Sequence, residues 1–329
     1  MITFVIILII MFEQHPHIQL IDNYISTLKL PDTPAHLYDP ITYILSLHGK
    51  RIRPLLVLMA ADMFGNKDKE QILPASCAIE FFHNFSLIHD DIMDKAPMRR
   101  GKQSIHQKWN DNVAILSGDA LLVKAYEELG KCPAAKIPAL LKVFNRIAAE
   151  VCEGQQLDMD FETQNNVSEQ DYIEMIKLKT SGLLGGALQL GAILANASEL
   201  QQNLIYDFGV NLGIAFQLQD DYLDVYGNPE TFGKQVGGDI LSNKKTILWI
   251  RTQLSATGAD KTEFDTLLQD DTIANMDKVN RMKKLYATLA ADQFAKEVKL
   301  HYMSLAYSKL EAIDLPTASK ADLLQLAQS

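Results

Sequence analysis

Two short acidic clusters are the strongest indication of chemistry in this sequence. Both have the pattern Asp-Asp-x-x-Asp, the first from Asp90 to Asp94 and the second from Asp220 to Asp224. On a helix the first and last aspartates of this pattern lie about 40° apart and the second about 100° away, so three carboxylates crowd one face. Such like charges repel each other unless a cation neutralises them. Carboxylates that act together with substrate phosphates are typical of magnesium sites.

A single acidic cluster is equally consistent with a solvated helix face. Here the residues that precede each cluster are strongly apolar, which favours carboxylates that point into a cavity. They are Phe81, Phe82, Phe85, Leu87 and Ile88 before the first cluster, and Leu212, Ile214, Phe216 and Leu218 before the second. The pair Asp270-Asp271 lacks a third aspartate at this spacing and has polar neighbours, so we interpret it as surface.

Basic residues also occur in clusters, and guanidinium and ammonium groups are the side chains that bind phosphate oxygens. The clusters are Lys50-Arg51-Ile52-Arg53, Arg99-Arg100-Gly101-Lys102, Lys179-Thr180, Lys234 and Lys244-Lys245. Each alone is typical of a salt-bridged surface. Together with two acidic clusters in an acidic chain, they predict two polyanions, one held through metal ions and the other held directly by cationic side chains.

The elements that must position these residues are predicted to be helices. The chain has 329 residues, of which 47% are hydrophobic, and apolar residues recur at helical spacing, as in Phe81, Phe85, Ile88 and Ile92. We therefore predict one large all-α domain over residues 13–329. Predicted breaks between helices are Pro31/Pro34, Pro74, Pro97, Pro133/Pro138, Gly185-Gly186 and Gly227-Asn228-Pro229.

Composition excludes several other classes of protein. A net charge of −10 argues against binding to nucleic acid, which requires a basic face. Three cysteines without ligand spacing argue against a disulfide framework or a zinc site, and they fit a reducing, cytoplasmic location. Residues 1–12 form an apolar N-terminal extension that is shorter than the roughly 20 residues of a bilayer span. We hypothesise that this start is mis-assigned and that translation begins at Met11.

The ordered set of motifs resembles the trans-isoprenyl diphosphate synthases, the farnesyl and geranylgeranyl diphosphate synthase family, from about Tyr43 to about Thr246. The matching segments, besides the two acidic clusters, are Gly49–Pro54, Glu80-x-x-His83, Arg99-Arg100-Gly101, Gly118-Asp119-Ala120, Gly154-Gln155, Lys179-Thr180, Phe216–Gln219 and Gly233-Lys234 through Lys244. Any one of these motifs is weak, whereas the ordered set is highly specific.

The resemblance implies an all-α fold around a central cavity, the isoprenoid synthase fold, and a homodimer. From the short N-terminal apolar segment we expect no stable membrane span. It implies that isopentenyl diphosphate condenses head-to-tail with an allylic diphosphate by magnesium-dependent ionisation, condensation and elimination. Three magnesium ions would be held by Asp90, Asp94 and Asp220, with Asp91, Asp221 and Asp224 in support. The allylic diphosphate would contact Arg99, Lys179, Thr180, Gln217, Lys234 and Lys244. Isopentenyl diphosphate would contact Lys50, Arg53, His83 and Arg100.

Product length in this family depends on the helix before the first acidic cluster. On that helix Phe82, Phe85 and Ser86 lie on the same side as Asp90, with Phe85 about 7.5 Å below it. A small Ser86 followed by a bulky Phe85 resembles the pattern of some geranylgeranyl synthases. We therefore favour a C20 product over a C15 product.

Three other functions compete with this interpretation. A terpene cyclase would ionise the same kind of substrate, but it would carry a different second metal motif and lack Gly49–Pro54. A helical metal phosphohydrolase would need further histidine ligands and would leave the second cluster unexplained. A non-catalytic partner subunit would be expected to have lost the acidic motifs, and both are intact here.

Overall fold

The computed structural model describes residues 15–47, 49–227, 236–270 and 272–328 of the chain. The predicted all-α class is confirmed, because helices make up almost all of the regular structure in these ranges. In chain order they are α1 (Pro16–Thr27), α2 (Ala35–Ser46), α3 (Ile52–Met63), α4 (Lys69–Met93), α5 (Ile105–Lys108), α6 (Asp111–Leu129), α7 (Ile137–Thr163), α8 (Glu169–Ile176), α9 (Gly182–Leu194), α10 (Glu199–Tyr226), α11 (Gly238–Leu241), α12 (Ile247–Ser255), α13 (Gly258–Gln269), α14 (Asn275–Thr288), α15 (Ala291–Glu311) and α16 (Thr317–Gln328).

Two shorter elements interrupt this helical order. Strands β1 (Met98–Arg99) and β2 (Lys102–Gln103) form an antiparallel hairpin after α4. A π-helical turn over Lys177–Ser181 connects α8 to α9. The predicted N-terminal extension, residues 1–12, lies outside the described residues.

The described residues divide into two compact units, which we describe separately. The first unit contains residues 15–148, 186–206 and 314–328, and the second contains Ala149–Gly185 and Asp207–Ile313. The first acidic cluster therefore belongs to the first unit and the second acidic cluster to the second unit.

Helix α3 lies in the core of the first unit. Its residues from Pro54 to Ala61 are all buried, because the sequence LLVLMAA is apolar on every face of the helix. Helix α4 packs against both α3 and α6, and its buried positions include Phe81 and Phe82. The end of α4 that carries the acidic cluster is thus anchored in a packed core.

Two predicted breaks were wrong. Pro74 lies inside α4, where it is buried between Ile72 and Ala75, and the apolar packing on both sides stabilises the helix despite the lost backbone hydrogen bond. Gly185 and Gly186 lie inside α9. A Cβ on Gly186 would lie 2.6 Å from Ile147 Cδ1, so this glycine permits close approach of helices.

The second unit has its own core around α10, α12 and α15. Phe208, Leu212 and Leu218 of α10 are buried. Trp249 of α12 is also buried, with its ring 5.4 Å from that of Phe264, as expected for a packing residue. The second acidic cluster therefore follows directly after a buried helical stretch, as the first does.

Within the described ranges, every helix is too short or too polar to cross a bilayer.

Candidate active site

The first acidic cluster lies at the carboxyl end of α4. Asp91 is buried, Asp90 is half-buried, and Asp94, the C-cap residue of the helix, is exposed. Arg99 donates from Nε to Asp91 Oδ1 at 2.9 Å and from Nη2 to Asp90 Oδ2 at 3.5 Å. Burial raises the pKa of Asp91 above its ordinary value, although the hydrogen bond from Arg99 opposes this rise. Arg99 therefore fixes the buried aspartate, and the first and last aspartates remain closer to solvent.

The β-hairpin over residues 98–103 positions this arginine. Arg99 pairs with Lys102 across the hairpin, and Arg100 and Gly101 form its turn with φ values of 51° and 73°. Two consecutive positive φ values are the signature of a type I′ turn, in which glycine is favoured at the second position. This hairpin was not predicted from the sequence.

The next arginine of the hairpin reaches a different partner. Arg100 Nη1 donates to the carbonyl oxygen of Leu47 at 2.9 Å. A Cβ on Gly49 would lie 2.6 Å from Arg100 Cζ. A larger residue at position 49 would therefore have to displace the guanidinium of Arg100 from its present position.

Arg53 and His83, both predicted to hold isopentenyl diphosphate, are neighbours. Arg53 Nη1 donates to His83 Nε2 at 3.2 Å. Burial is the main reason that the pKa of His83 lies well below its ordinary value, and the positive charges of Arg53 and Arg100 lower it further. The imidazole is therefore neutral. Burial also lowers the pKa of Arg53 to about 10, which leaves it charged at neutral pH. Lys50, from the same motif, is exposed.

The other two charged residues of these motifs form a buried ion pair. Arg51 has a φ of 47° and donates to Glu80, to Asp22 Oδ1 at 3.0 Å and to the carbonyl oxygen of Leu45 at 3.0 Å. Asn84 donates to the same Glu80 carboxylate at 3.0 Å. This pair connects the loop before α3 to α4. It therefore keeps Lys50 and Arg53 close to His83.

The residues predicted to control product length lie along α4. Phe82 is buried, with its ring 5.6 Å from that of Phe85 and 5.5 Å from that of Phe144. Phe85 is half-buried and also contacts the ring of His89 at 4.7 Å. Ser86 is half-buried and donates to the His83 carbonyl at 2.8 Å. Phe85 is thus the more accessible of the two phenyl rings, and the buried Phe82 ring packs against it.

The second acidic cluster repeats the arrangement of the first. Asp221 is buried, whereas Asp220 is exposed and Asp224 is half-buried. Asp221 accepts hydrogen bonds from the Tyr172 hydroxyl and, at 3.0 Å, from Gln217 Nε2. Burial raises the pKa of Asp221 to about 6, against the opposing effect of the nearby Lys244 charge. The second aspartate is again fixed by its own partners.

The third aspartate of this cluster contacts the segment that leads to Lys244. Asp224 Oδ2 accepts from the backbone N–H of Asp239 at 3.0 Å, and the backbone N–H of Lys244 donates to the Asp239 carbonyl at 2.9 Å. Lys244 is exposed, whereas Lys245 donates to the carbonyl oxygens of Phe161 and Glu162 at the end of α7. Lys245 is thus structural. Lys234 lies outside the described residues.

Lys179 and Thr180 lie in the π-helical turn. π-Helical turns occur frequently at functional sites because they displace side chains from the regular helical positions. Lys179 Nζ donates to Asp158 Oδ2 at 2.6 Å. A Cβ on Gly154 would overlap the backbone nitrogen of Lys179, so this glycine lets α7 approach the turn. Thr180 is half-buried beside it.

Sequence reasoning missed Asp158, Tyr172 and the Arg51–Glu80 pair as parts of the site. Asp158 lies four residues after Gly154, on the same face of α7, and this spacing was an available signal. Tyr172 gave no signal, because its partner Asp221 lies in a different helix. The predicted roles of the other site residues stay predictions.

The donor set of both clusters suits a hard divalent cation. The accessible ligands are carboxylate oxygens, which magnesium prefers. Within the ranges that the structure describes, no group of three His, Cys, Asp or Glu side chains converges as a complete metal site. A metal at either cluster would therefore need oxygen ligands from elsewhere, such as a substrate diphosphate.

Comparison with known proteins identifies the family of this chain. The polyprenyl synthetase family model matches residues 34–289. The chain is 35% identical to the geranylgeranyl diphosphate synthase of Methanosarcina mazei over 310 residues, which cover 93% of each protein. A solved geranylgeranyl pyrophosphate synthase is 46% identical, with a TM-score of 0.86 and coverage of 91% of this chain and 93% of that one. The geranylgeranyl pyrophosphate synthetase of Pyrococcus horikoshii Ot3 is 33% identical, with a TM-score of 0.88 and coverage of 98% and 97%. The chain therefore belongs to the polyprenyl synthetase family of prenyltransferases and has its all-α isoprenoid-synthase fold.

Proposed function

We propose that this protein condenses isopentenyl diphosphate head-to-tail with an allylic diphosphate and releases a product of C20 length. One observation carries the proposal. In each acidic cluster the second aspartate is buried and hydrogen-bonded to its own partners, Arg99 for Asp91 and Tyr172 for Asp221. The second carboxylate of each cluster is thus occupied by the protein, and we assign the other carboxylates as the oxygen ligands that a metal-bound diphosphate requires.

Asp90, Asp94 and Asp220 would hold magnesium, with three ions per active site and with Asp91, Asp221 and Asp224 in support. Magnesium would stabilise the negative charge that develops on the departing diphosphate. Arg99, Lys179, Thr180, Gln217, Lys234 and Lys244 would hold the allylic diphosphate itself. Their task is to bind the leaving group more tightly as its carbon–oxygen bond breaks.

The basic group of the first unit would hold isopentenyl diphosphate. The positive charges of Arg53 and Arg100 lower the pKa of the neighbouring His83. These two positive charges would attract a dianion to the group formed by Arg53, His83 and Arg100. Because Nε2 of the neutral His83 accepts from Arg53, its Nδ1 would carry the proton and donate one hydrogen bond. Lys50 would add a further charge from the exposed end of the same motif.

The reaction follows from these two binding groups. Loss of diphosphate leaves an allylic cation, which the double bond of isopentenyl diphosphate attacks to form the new carbon–carbon bond. A proton then leaves the adjacent carbon, with the released diphosphate as its acceptor. The protein contributes position and the exclusion of water, which would otherwise quench the cation.

Product length would be limited by Phe85. A growing chain that extends from Asp90 along α4 passes the small Ser86 and meets the half-buried Phe85, which rests on the buried Phe82. This favours C20, with C15 as the alternative.

We further propose a homodimer that associates through α6. Ile115, Leu116, Val123 and Tyr126 are exposed by 42%, 60%, 58% and 39%, and on a helix they fall within a stripe about 100° wide. Asp119 lies within the same stripe. An exposed helix face on which large apolar side chains predominate is typical of a protein interface. The three free thiols support a cytoplasmic location, and the acidic composition argues against a nucleic-acid partner. The assignment of residues 13–329 as the catalytic domain stays a prediction.

The test is a turnover assay with labelled isopentenyl diphosphate, an allylic diphosphate of C5 or C15 and magnesium, with the product identified by mass. Incorporation of label into a C20 chain is expected.

Variants of the two acidic clusters test the site. Asp90→Ala and Asp220→Ala should each lose about 100-fold or more in kcat, with unchanged circular dichroism. Asp270→Ala, in the aspartate pair interpreted as surface, should keep full activity. Consumption of the allylic substrate without incorporation would favour a cyclase, and phosphate release alone a phosphohydrolase.

A further inference from the structure

The first unit contains a cavity that none of the predicted site residues lines. It has a volume of about 660 Å³ and lies between α1 and α2, a size typical of small-molecule sites. Its apolar wall is formed by Ile25, Leu28, Leu30, Leu45 and Phe81. An alkyl or aryl group could therefore be removed from water there.

The charged residues that line the cavity are mostly acidic. Asp22, Asp32 and Asp39 contribute carboxylates, and Arg51 is the cation among the lining residues. Arg51 is only 6% exposed and already donates to Asp22 and Glu80. Its charge is thus compensated within the protein, and Asp32 and Asp39 leave the cavity with a net negative charge.

This charge is opposite to that of the group formed by Arg53, His83 and Arg100. A diphosphate, whether substrate or product, would be repelled from the cavity by its carboxylates. A cation would be attracted by the same carboxylates. Its chemistry therefore separates this cavity from the diphosphate sites.

We infer that the cavity is a binding site for an amphipathic organic cation. The apolar part of such a ligand lies against Leu28, Leu45 and Phe81, and its ammonium group lies at Asp32 and Asp39. The proposed ammonium site at Asp32 and Asp39 uses no residue assigned to the prenyl transfer. Among the lining residues, Arg51 connects the cavity to that machinery, because its pair with Glu80 positions the Gly49–Pro54 motif.

The first experiment compares three probes that share one apolar body. Calorimetric titration of the full-length protein with octylammonium, octanol and octanoate measures three affinities. Because the probes differ in charge, the comparison separates the contribution of the charge from that of the apolar chain. Octylammonium is expected to bind most tightly and octanoate least. Octanoate that binds as tightly as octylammonium would overturn the inference.

The second experiment locates the site. The double variant Asp32→Asn/Asp39→Asn should bind octylammonium about three- to tenfold more weakly, because each exposed carboxylate contributes modestly. Thr42→Trp, which places a large ring in the cavity lining, should reduce binding of octanol and octylammonium alike. Asp314→Asn, at an exposed aspartate of the same unit outside the cavity, is the matched control and should bind normally. Unchanged affinity in the double variant, or an equal loss in the control, would show that the probe binds elsewhere.

Discussion

At the scale of single residues, Asp91 and Asp221 explain how the two clusters tolerate three neighbouring carboxylates. Each is buried and accepts hydrogen bonds from another element, Asp91 from the hairpin arginine and Asp221 from the α8 tyrosine. Burial makes each carboxylate easier to protonate. One member of every cluster is therefore committed to structure, and the others can serve as ligands.

Removal of the arginine partner should destabilise the protein. Arg99→Ala leaves the buried Asp91 without its charged donor, and we expect the free energy of unfolding to fall by about 2 kcal/mol in urea titrations. The control is Arg281→Ala, which breaks an ion pair with the more exposed Glu263 and should cost less than about 1 kcal/mol. Equal losses in the two variants would contradict a special role for the Arg99 contact.

The raised pKa of Asp221 predicts a specific pH dependence of stability. The pKa is about 6 in the folded protein, compared with an ordinary value of 3.8 for an aspartate. The folded protein therefore binds this proton more tightly than the unfolded chain, and stability from this group increases as pH falls from about 6 to about 4. The increase is at most about 3 kcal/mol.

Denaturation at several pH values, with a chelator present, isolates this contribution. The free energy of unfolding of the wild-type protein, minus that of Asp221→Asn, should rise as the pH falls through this window and stay constant above it. A difference that is independent of pH would mean that Asp221 is not protonated more readily in the folded protein.

At the scale of elements, glycines determine where helices can approach each other. A Cβ on Gly154, Gly191 or Gly213 would overlap backbone or side-chain atoms of a neighbouring segment. In the second unit this brings α7 and α10 against the π-helical turn that carries Lys179. The position of Lys179 thus depends on Gly154 and Gly213, because a larger residue at either position would overlap the turn.

Gly154→Ala should therefore damage both stability and catalysis. The added methyl group displaces the turn that carries Lys179, at a cost of about 1–3 kcal/mol, and we expect a lower thermal midpoint together with a lower kcat. Gly130→Ala is the matched control, since Gly130 has φ −64° and its nearest contact would be 3.3 Å. If Gly154→Ala behaved like this control, the proposed tight contact would be wrong.

The α4 helix should control product length through its accessible phenyl ring. Phe85→Ala opens space below Ser86, and we expect products longer than C20 in chromatograms of the extracted lipids. Phe294→Ala, a half-buried phenylalanine of α15 that contacts Arg251, should leave the product unchanged. Phe82→Ala should instead lose about 3–5 kcal/mol of stability, because its ring is fully buried. An unchanged product from Phe85→Ala would place the limiting residue elsewhere.

At the scale of the whole molecule, the exposed face of α6 predicts the oligomeric state. Leu116→Glu/Val123→Glu introduces charges into the proposed interface, and we expect a monomer in size-exclusion chromatography with light scattering. Leu254→Glu, at a residue that is 62% exposed on α12, should remain dimeric. A wild-type protein that is monomeric at micromolar concentration would exclude the proposed dimer.

Local patterns in the chain were sufficient for the fold class and for the location of the two clusters. Apolar spacing predicted helices, and Asp-Asp-x-x-Asp placed three carboxylates at each cluster. The breaks predicted at Pro74 and Gly185-Gly186 were wrong, because buried packing on both sides outweighs the local cost of proline or glycine in a helix. The hairpin at residues 98–103 was also missed, since its strands are only two residues long.

The sequence alone determined the chemical types and their order: carboxylates in two clusters, cations before, between and after these clusters, and helices to carry both. The tertiary structure decided which carboxylate is buried, that Arg51 pairs with Glu80 while Arg53 contacts His83, and that Lys179 lies in a π-helical turn against Asp158. Those outcomes depend on contacts between residues far apart in the chain. The physical reason is that burial and pairing are properties of neighbours in space, and a local pattern records only neighbours in sequence.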